Sequence, residues 1–76
     1  MENFREYISI DPNIRFGKPC IKGTRISVAD ILGWLANDAP FEEILEDFPQ
    51  LKREHILAAL AFAAERENIT KLLAAA

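Results

Sequence analysis

The chain has 76 residues, half of them apolar, with one cysteine, one histidine and a formal net charge of −3. That length holds one domain, 1–76, with a modest core; a single cysteine excludes an internal disulfide, and one cysteine with one histidine excludes a structural zinc site unless carboxylates join them. The apolar fraction excludes a disordered chain, no run of the sequence approaches the ~20 apolar residues of a bilayer span, and the start Met-Glu-Asn-Phe-Arg-Glu lacks the apolar stretch of a signal peptide, so a cytoplasmic protein without membrane contact is expected. Oligomerisation is the remaining remedy for so small a core, and a homodimer is expected.

In chain order, Tyr7-Ile8-Ser9-Ile10 reads as a short strand closed by a turn at Asp11-Pro12. It can pair with Ile21 or Ile26, or with the same strand of a second chain, which makes Tyr7, Ile8 and Ile10 the candidate dimer contacts. The stretch from Pro12 to Val28 changes character. It carries Arg15, Lys18, Lys22 and Arg25 and no acid, whereas residues 30–67 sum to −6. Gly17 and Gly23 admit the positive φ of tight turns, and Ile21 and Ile26 flank Gly23-Thr24 as a short hairpin would require. A strand and hairpin region over 7–26 is expected.

Residues 27–67 read as three helices. Ser27 is a good N-cap with Asp30 at the capping-box position, and Val28, Ile31, Leu32 and Leu35 share one face of a helix from about Val28 to Asn37, with Trp34 beside it. Gly33 inside that helix implies close packing of another segment. Pro40 opens a second helix, about Phe41 to Asp47, with Glu42 and Glu43 in its first turn and Phe41, Ile44, Leu45 and Phe48 as its apolar face. Pro49 ends it. The third helix is expected from Lys52 to Glu67, its buried face Ile56, Leu60 and Ala63 supported by Leu57 and Ala64. A tail, 68–76, follows. If it continued as helix, Phe62, Ile69 and Leu73 would align away from the core face. The fold class is mainly α: an N-terminal β-hairpin or short strands before a three-helix, helix-turn-helix-like bundle. Such shapes are common among DNA-binding domains, but shape alone does not give function.

The cations of the hairpin have two readings. As a nucleic-acid surface, Arg15, Lys18, Lys22 and Arg25 contact phosphates beside the Thr24 hydroxyl, and Arg25 offers a fork for phosphate or guanine. As structure, they are solvated, or pair with acids of the same chain, Arg25 with Asp30 for example. Lys52 and Arg53 open the third helix, where cations serve a DNA groove but oppose the helix dipole. Cys20 and His55, the only thiol and imidazole, lack a recognisable orienting group, so a structural cysteine is expected rather than a nucleophile. Glu42, Glu43, Glu46 and Asp47 read as a solvated face rather than a metal site, and no cofactor-binding glycine loop is present. The tail residues Ile69, Leu72 and Leu73, with Phe62, are the candidate partner contacts, the alternatives being extra core or a frayed end.

Asp11-Pro12 followed by Gly17-Lys18-Pro19-Cys20-Ile21-Lys22-Gly23-Thr24-Arg25-Ile26-Ser27-Val28, and then Phe48-Pro49-Gln50-Leu51 with Glu54, Ile56 and Ala58-Ala59-Leu60, resembles the bacterial family called domain of unknown function 433. The likeness spans roughly residues 7–66. It implies a homeodomain-like helix-turn-helix preceded by a β-hairpin. It also implies a gene neighbour resembling a PIN-type nuclease, and hence a role like that of VapB antitoxins in type II toxin–antitoxin pairs. Lys52 and His55 depart from the Ser or Thr and the acid expected around the start of the third helix. The resemblance carries over no catalytic residue. The resulting expectation is a non-enzymatic antitoxin without metal or cofactor. It would neutralise a PIN-like nuclease toxin through the last helix and tail, and bind promoter DNA through Arg15, Lys18, Lys22, Thr24, Arg25, Lys52 and Arg53. The alternative is a protein-interaction or dimerisation module, or a DNA-binding regulator, with no toxin partner. A third reading, a small thiol enzyme, would rest on Cys20.

Overall fold

The structure, a computed structural model, describes residues 3–75 and the side chains of residues 3–68. A 3-10 turn over Phe4–Tyr7 leads into β1 (Ile8–Ser9), and after a long loop β2 (Cys20–Ile21) returns antiparallel to it, with Ile8 opposite Ile21 and Ser9 opposite Cys20. Three helices follow: α1 (Val28–Ala36), α2 (Phe41–Asp47) and α3 (Arg53–Ala75). The fold is therefore mainly α, a short N-terminal hairpin before a three-helix bundle. The expected strand is shorter than its sequence pattern implies. Tyr7 belongs to the 3-10 turn, and Ile10 lies outside the ladder, 61% exposed.

The hairpin is a three-lane arrangement with Cys20–Ile21 in the middle. On one side the Lys22 amide donates to the Tyr7 carbonyl at 2.8 Å; on the other the Ile21 amide donates to the Ile26 carbonyl at 2.9 Å, and Cys20 bridges to Ser27. Ile21 is wholly buried as a result, so the hairpin serves as a lid on the helices.

The core joins Ile21, Ile26, Val28, Ile31, Ile44, Leu51, Ile56 and Ala59. Val28 and Ile31 are the α1 contribution, with Leu32 and Leu35 partly buried beside them, as their spacing requires. Trp34 stacks on Phe48, ring centroids 4.4 Å apart, and closes the α1–α2 corner. On α3 the expected face is rotated. Ile56 and Ala59 are buried and Phe62 packs behind them, while Leu57 and Leu60 are each 39% exposed. Ala58 is wholly buried as well, and the row that meets the core cluster follows i, i+3 and i+6 from Ile56.

Three further expectations are corrected. Among the described residues no segment packs on Gly33: a Cβ placed there meets nothing within 4 Å. Asp30 pairs with Arg15, not Arg25. Helix α3 does not stop at Glu67 but continues to Ala75, because Asn68-Ile69-Thr70 lowers helix propensity without breaking it. The side chains of Ile69, Leu72 and Leu73 lie outside the described residues.

The start of α3 shows how its unusual sequence is satisfied. With Lys52 in place of a capping hydroxyl, the acceptor comes from inside the helix: the Lys52 amide donates to Nδ1 of His55 at 2.8 Å. That bond supplies one of the two halves of a capping box, with imidazole in the place of a carboxylate. The His55 ring is held edge-on to Tyr7, centroids 5.5 Å apart and planes at 88°.

Candidate interaction surfaces

The loop between β1 and β2 is built by hydrogen bonds rather than by packing. Asp11 starts it: its Oδ1 accepts from the Asn13 amide at 2.9 Å and its carbonyl from the Ile14 amide at 2.9 Å. Arg15, Phe16 and Gly17 then take φ of 52°, 59° and 83° in succession. Left-handed backbone suits Gly17 and costs a non-glycine residue about 1–2 kcal/mol. Something must hold Arg15 there, and its guanidinium shows what. Nη1 donates to the Arg25 carbonyl at 2.8 Å and to Asp30 Oδ2 at 3.0 Å.

Asp30 Oδ2 also accepts from the Ser27 amide at 3.1 Å, while the buried Ser27 hydroxyl accepts from the Asp30 amide at 2.9 Å. The α1 capping box and the loop thus share one carboxylate oxygen. Burial tends to raise the Asp30 carboxyl, but the bonds from Arg15 and from Ser27, with the Arg15 charge, hold it below its usual value. The bond and charge of Asp30 raise the Arg15 guanidinium in turn.

Each candidate nucleic-acid contact has a definite place. Arg15 is committed to Asp30 and Arg25. Thr24 spends its hydroxyl on the turn, donating to the Ile21 carbonyl at 2.9 Å and accepting from the Ile26 amide at 3.0 Å. Arg53 lies over the Phe41 ring at 4.8 Å. Lys18, Lys22, Arg25 and Lys52 are exposed and make no ion pair among the described residues. The backbone connects two of these regions: Lys22 bonds to Tyr7, and Tyr7 meets His55, whose Nδ1 caps Lys52.

The candidate dimer contacts divide. Tyr7 is half-buried against His55 and Ile8 packs on the core, whereas Ile10 is free to solvent. Phe62, a candidate partner contact, packs on the core with one side facing a groove. Cys20 is buried, its Sγ donating to the Lys18 carbonyl at 3.3 Å.

The acids of α2 form the opposite electrostatic pole. Glu42, Glu43, Glu46 and Asp47 are all exposed and make no ion pair among the described residues. Beside them, Trp34, Ile44 and Phe48 wall a cleft of about 160 Å³ whose rim includes Glu43 and Asp47. A second concavity, about 350 Å³, runs between α1 and α3 and is lined by Pro19, Val28, Ala29, Leu32, Phe62 and Ala63, with Arg66 and Glu67 at its end.

Phe16 is the residue that sequence reading passes over. Its side chain is 100% exposed. The available signal is an aromatic residue set between Arg15 and Gly17-Lys18, inside a basic, glycine- and proline-rich turn.

Comparison with known proteins agrees with the motif. A curated relative, an uncharacterized protein y4eO of Sinorhizobium fredii (strain NBRC 101917 / NGR234), is 36% identical over 59 residues; the match takes in 78% of this chain and 27% of that protein's length. The crystal structure of a DUF433 member protein from Anabaena variabilis is similar with a TM-score of 0.76 and 30% identity, over 90% of this chain and 68% of that one. Residues 8–63 match the model of the family described as protein of unknown function (DUF433), so the hairpin, the loop, α1, α2 and the first half of α3 fall within the shared unit, and the chain belongs to that family.

Proposed function

We propose that the chain is a non-catalytic interaction module that binds a basic protein partner through the outer face of α2. The observation that carries this reading is the row of exposed carboxylates at Glu42, Glu43, Glu46 and Asp47, without ion pairs among the described residues, beside the Trp34–Phe48 cleft. An acidic face attracts a basic surface and orients the encounter. A cleft with an aromatic wall and two carboxylates at its rim receives the alkyl stem and the charge of a lysine or arginine together. A nuclease that binds RNA presents such basic groups. The antitoxin role implied by the family resemblance, masking a PIN-like toxin, is the specific form of this reading.

The test is purification of the chain from its native host, tagged at either end in separate preparations. A stoichiometric basic partner, lost when Glu43→Lys and Asp47→Lys are combined, is the expected result. Recovery of the chain without a partner from both preparations, or a complex indifferent to the charge reversal, overturns it.

A second reading has its own observation. Lys22 and Lys52, linked through Tyr7 and His55, are exposed without ion pairs among the described residues, and Lys18 and Arg25 extend the same charge along the hairpin. These cations suit a phosphate backbone. Retardation of promoter DNA that weakens with salt and with Lys22→Ala plus Arg25→Ala supports this reading; binding unchanged in that double variant removes it.

A further inference from the structure

Phe16 sits where folding alone gives it no role. Its ring touches nothing that would remove it from water, and its backbone holds the left-handed φ that Gly or Asn adopts at lower cost. The loop that presents it is nonetheless fixed at several points, by the Asp11 turn, by Arg15 on Arg25 and Asp30, and by the amides of Gly17 and Lys18 bonded to Ile14 and Arg15. A rigid support under an exposed aromatic side chain is the arrangement of an interface anchor, since large rings pre-positioned before binding give contact area at low entropic cost.

The same chain carries a matching hole. The α1–α3 groove is apolar along Pro19, Val28, Ala29, Leu32, Phe62 and Ala63, and its volume of about 350 Å³ accommodates a phenyl ring. Knob and hole are close: Phe16 and Pro19 are three residues apart, within about 11 Å even for fully extended chain. A projecting group beside a complementary recess meets the condition for a two-fold, self-complementary contact, in which each copy gives its knob to the other. The end of the groove carries both signs: Glu67 is exposed there as a partner for Lys18, two residues from Phe16, and Arg66 lies over the Phe62 ring at 5.5 Å.

We infer that the chain forms a two-fold homodimer in which Phe16 of each copy inserts into the α1–α3 groove of the other. This contact leaves the acidic face of α2 uncovered, so it stands or falls separately from the partner proposed above. It also differs from a dimer built on the β1 edge, because Tyr7 and Ile8 are already engaged within the chain.

The test is sedimentation of the purified chain alone, wild type and two single variants. Phe16→Asp removes the knob and places at that position a residue more tolerant of positive φ. Ala29→Arg fills the hole from an exposed helical position. The wild type is expected to be a dimer, and each variant is expected to dissociate with a dimerisation constant at least about 30-fold weaker. Phe16→Asp should unfold in urea no earlier than the wild-type monomer, which separates a lost contact from a lost fold. Mixing the two variants should restore a heterodimer. The introduced carboxylate of one then faces the introduced guanidinium of the other at one contact, and the native Phe16 meets a native groove at the second. A wild type that stays monomeric at about 100 μM, or variants that remain dimers, overturns the inference; so does a mixture that fails to associate when both variants are folded.

Discussion

Between Asp11 and Lys18 the chain is held by hydrogen bonds and buries no residue; between Val28 and Phe62 it is held chiefly by apolar packing. In the first region Asp11 and Arg15 each satisfy a named backbone group, and the amides of Ile14, Gly17 and Lys18 close successive turns. In the second, Ile31, Ile44, Ile56 and Ala59 meet in one cluster. The two modes have different consequences. Packing is non-directional and tolerates volume-conserving exchange, so it supports a scaffold without specifying its surface. Directional bonds fix a backbone in conformations that packing would not select, and so can present Phe16 and Lys18 in one arrangement. The helices are the support and the loop is the presented part.

Substitutions can break this contrast, and the largest effect belongs to the packed half. Ile56→Ala, at a wholly buried site, should cost about 2–5 kcal/mol in urea unfolding, enough to leave so small a domain close to unfolding. A cost under about 1 kcal/mol would mean that α3 is held by something other than its apolar face. Ser27→Ala tests the junction, where the hydroxyl caps α1 and is fully buried. A loss of about 1–2 kcal/mol is expected, with the loop loosened along with the helix. Gly33→Ala should act in the other direction. With open space where the Cβ goes, removing a helical glycine stabilises by roughly 1 kcal/mol. A destabilised Gly33→Ala variant would reveal a contact that a single copy of the chain does not contain.

His55→Ala should cost about 1 kcal/mol, since it leaves the Lys52 amide without its acceptor, and His55→Glu should recover most of that by restoring a capping carboxylate. The smallest effect is in acid. The folded Asp30 carboxyl lies below its ordinary value of 3.8, so the stability it contributes is complete above 3.8 and disappears as pH falls through the lower folded value. Arg15→Gln should lower the neutral plateau and flatten the acid limb, so that variant and wild type converge as pH falls through the folded Asp30 value. An unaltered acid limb would show that Arg15 is not what holds the carboxyl down.

The sequence is informative where one physical signal acts alone. Ser27 with Asp30 announces the start of α1, and the spacing of Val28, Ile31 and Leu35 marks its inward face, because capping and periodicity are local. The bounds of α2 are equally plain between Pro40 and Phe48. Legibility fails where an interaction spans the chain. Nothing local distinguishes Arg15 from Arg25 as the partner of Asp30, and the alanine-rich α3 has several faces of similar hydrophobicity. Which one is buried depends on contacts with elements far away in sequence, Ile21, Ile31 and Ile44 among them. Gly33 invites a packing explanation that the structure does not supply. Phe16 is illegible for a different reason: an exposed aromatic residue can be recognised only once the rest of the chain has failed to cover it.

The first turn of the chain has a consequence for how the molecule is made. Phe4 is buried in the turn that packs along α3, and the neighbouring Arg5 is paired with Glu65, sixty residues later. During synthesis the β-hairpin and the first two helices can leave the ribosome before the seat for Phe4 exists. Residues 4–7 therefore wait, with the Phe4 ring uncovered, until α3 emerges, so closure of this unit follows the synthesis of its third helix.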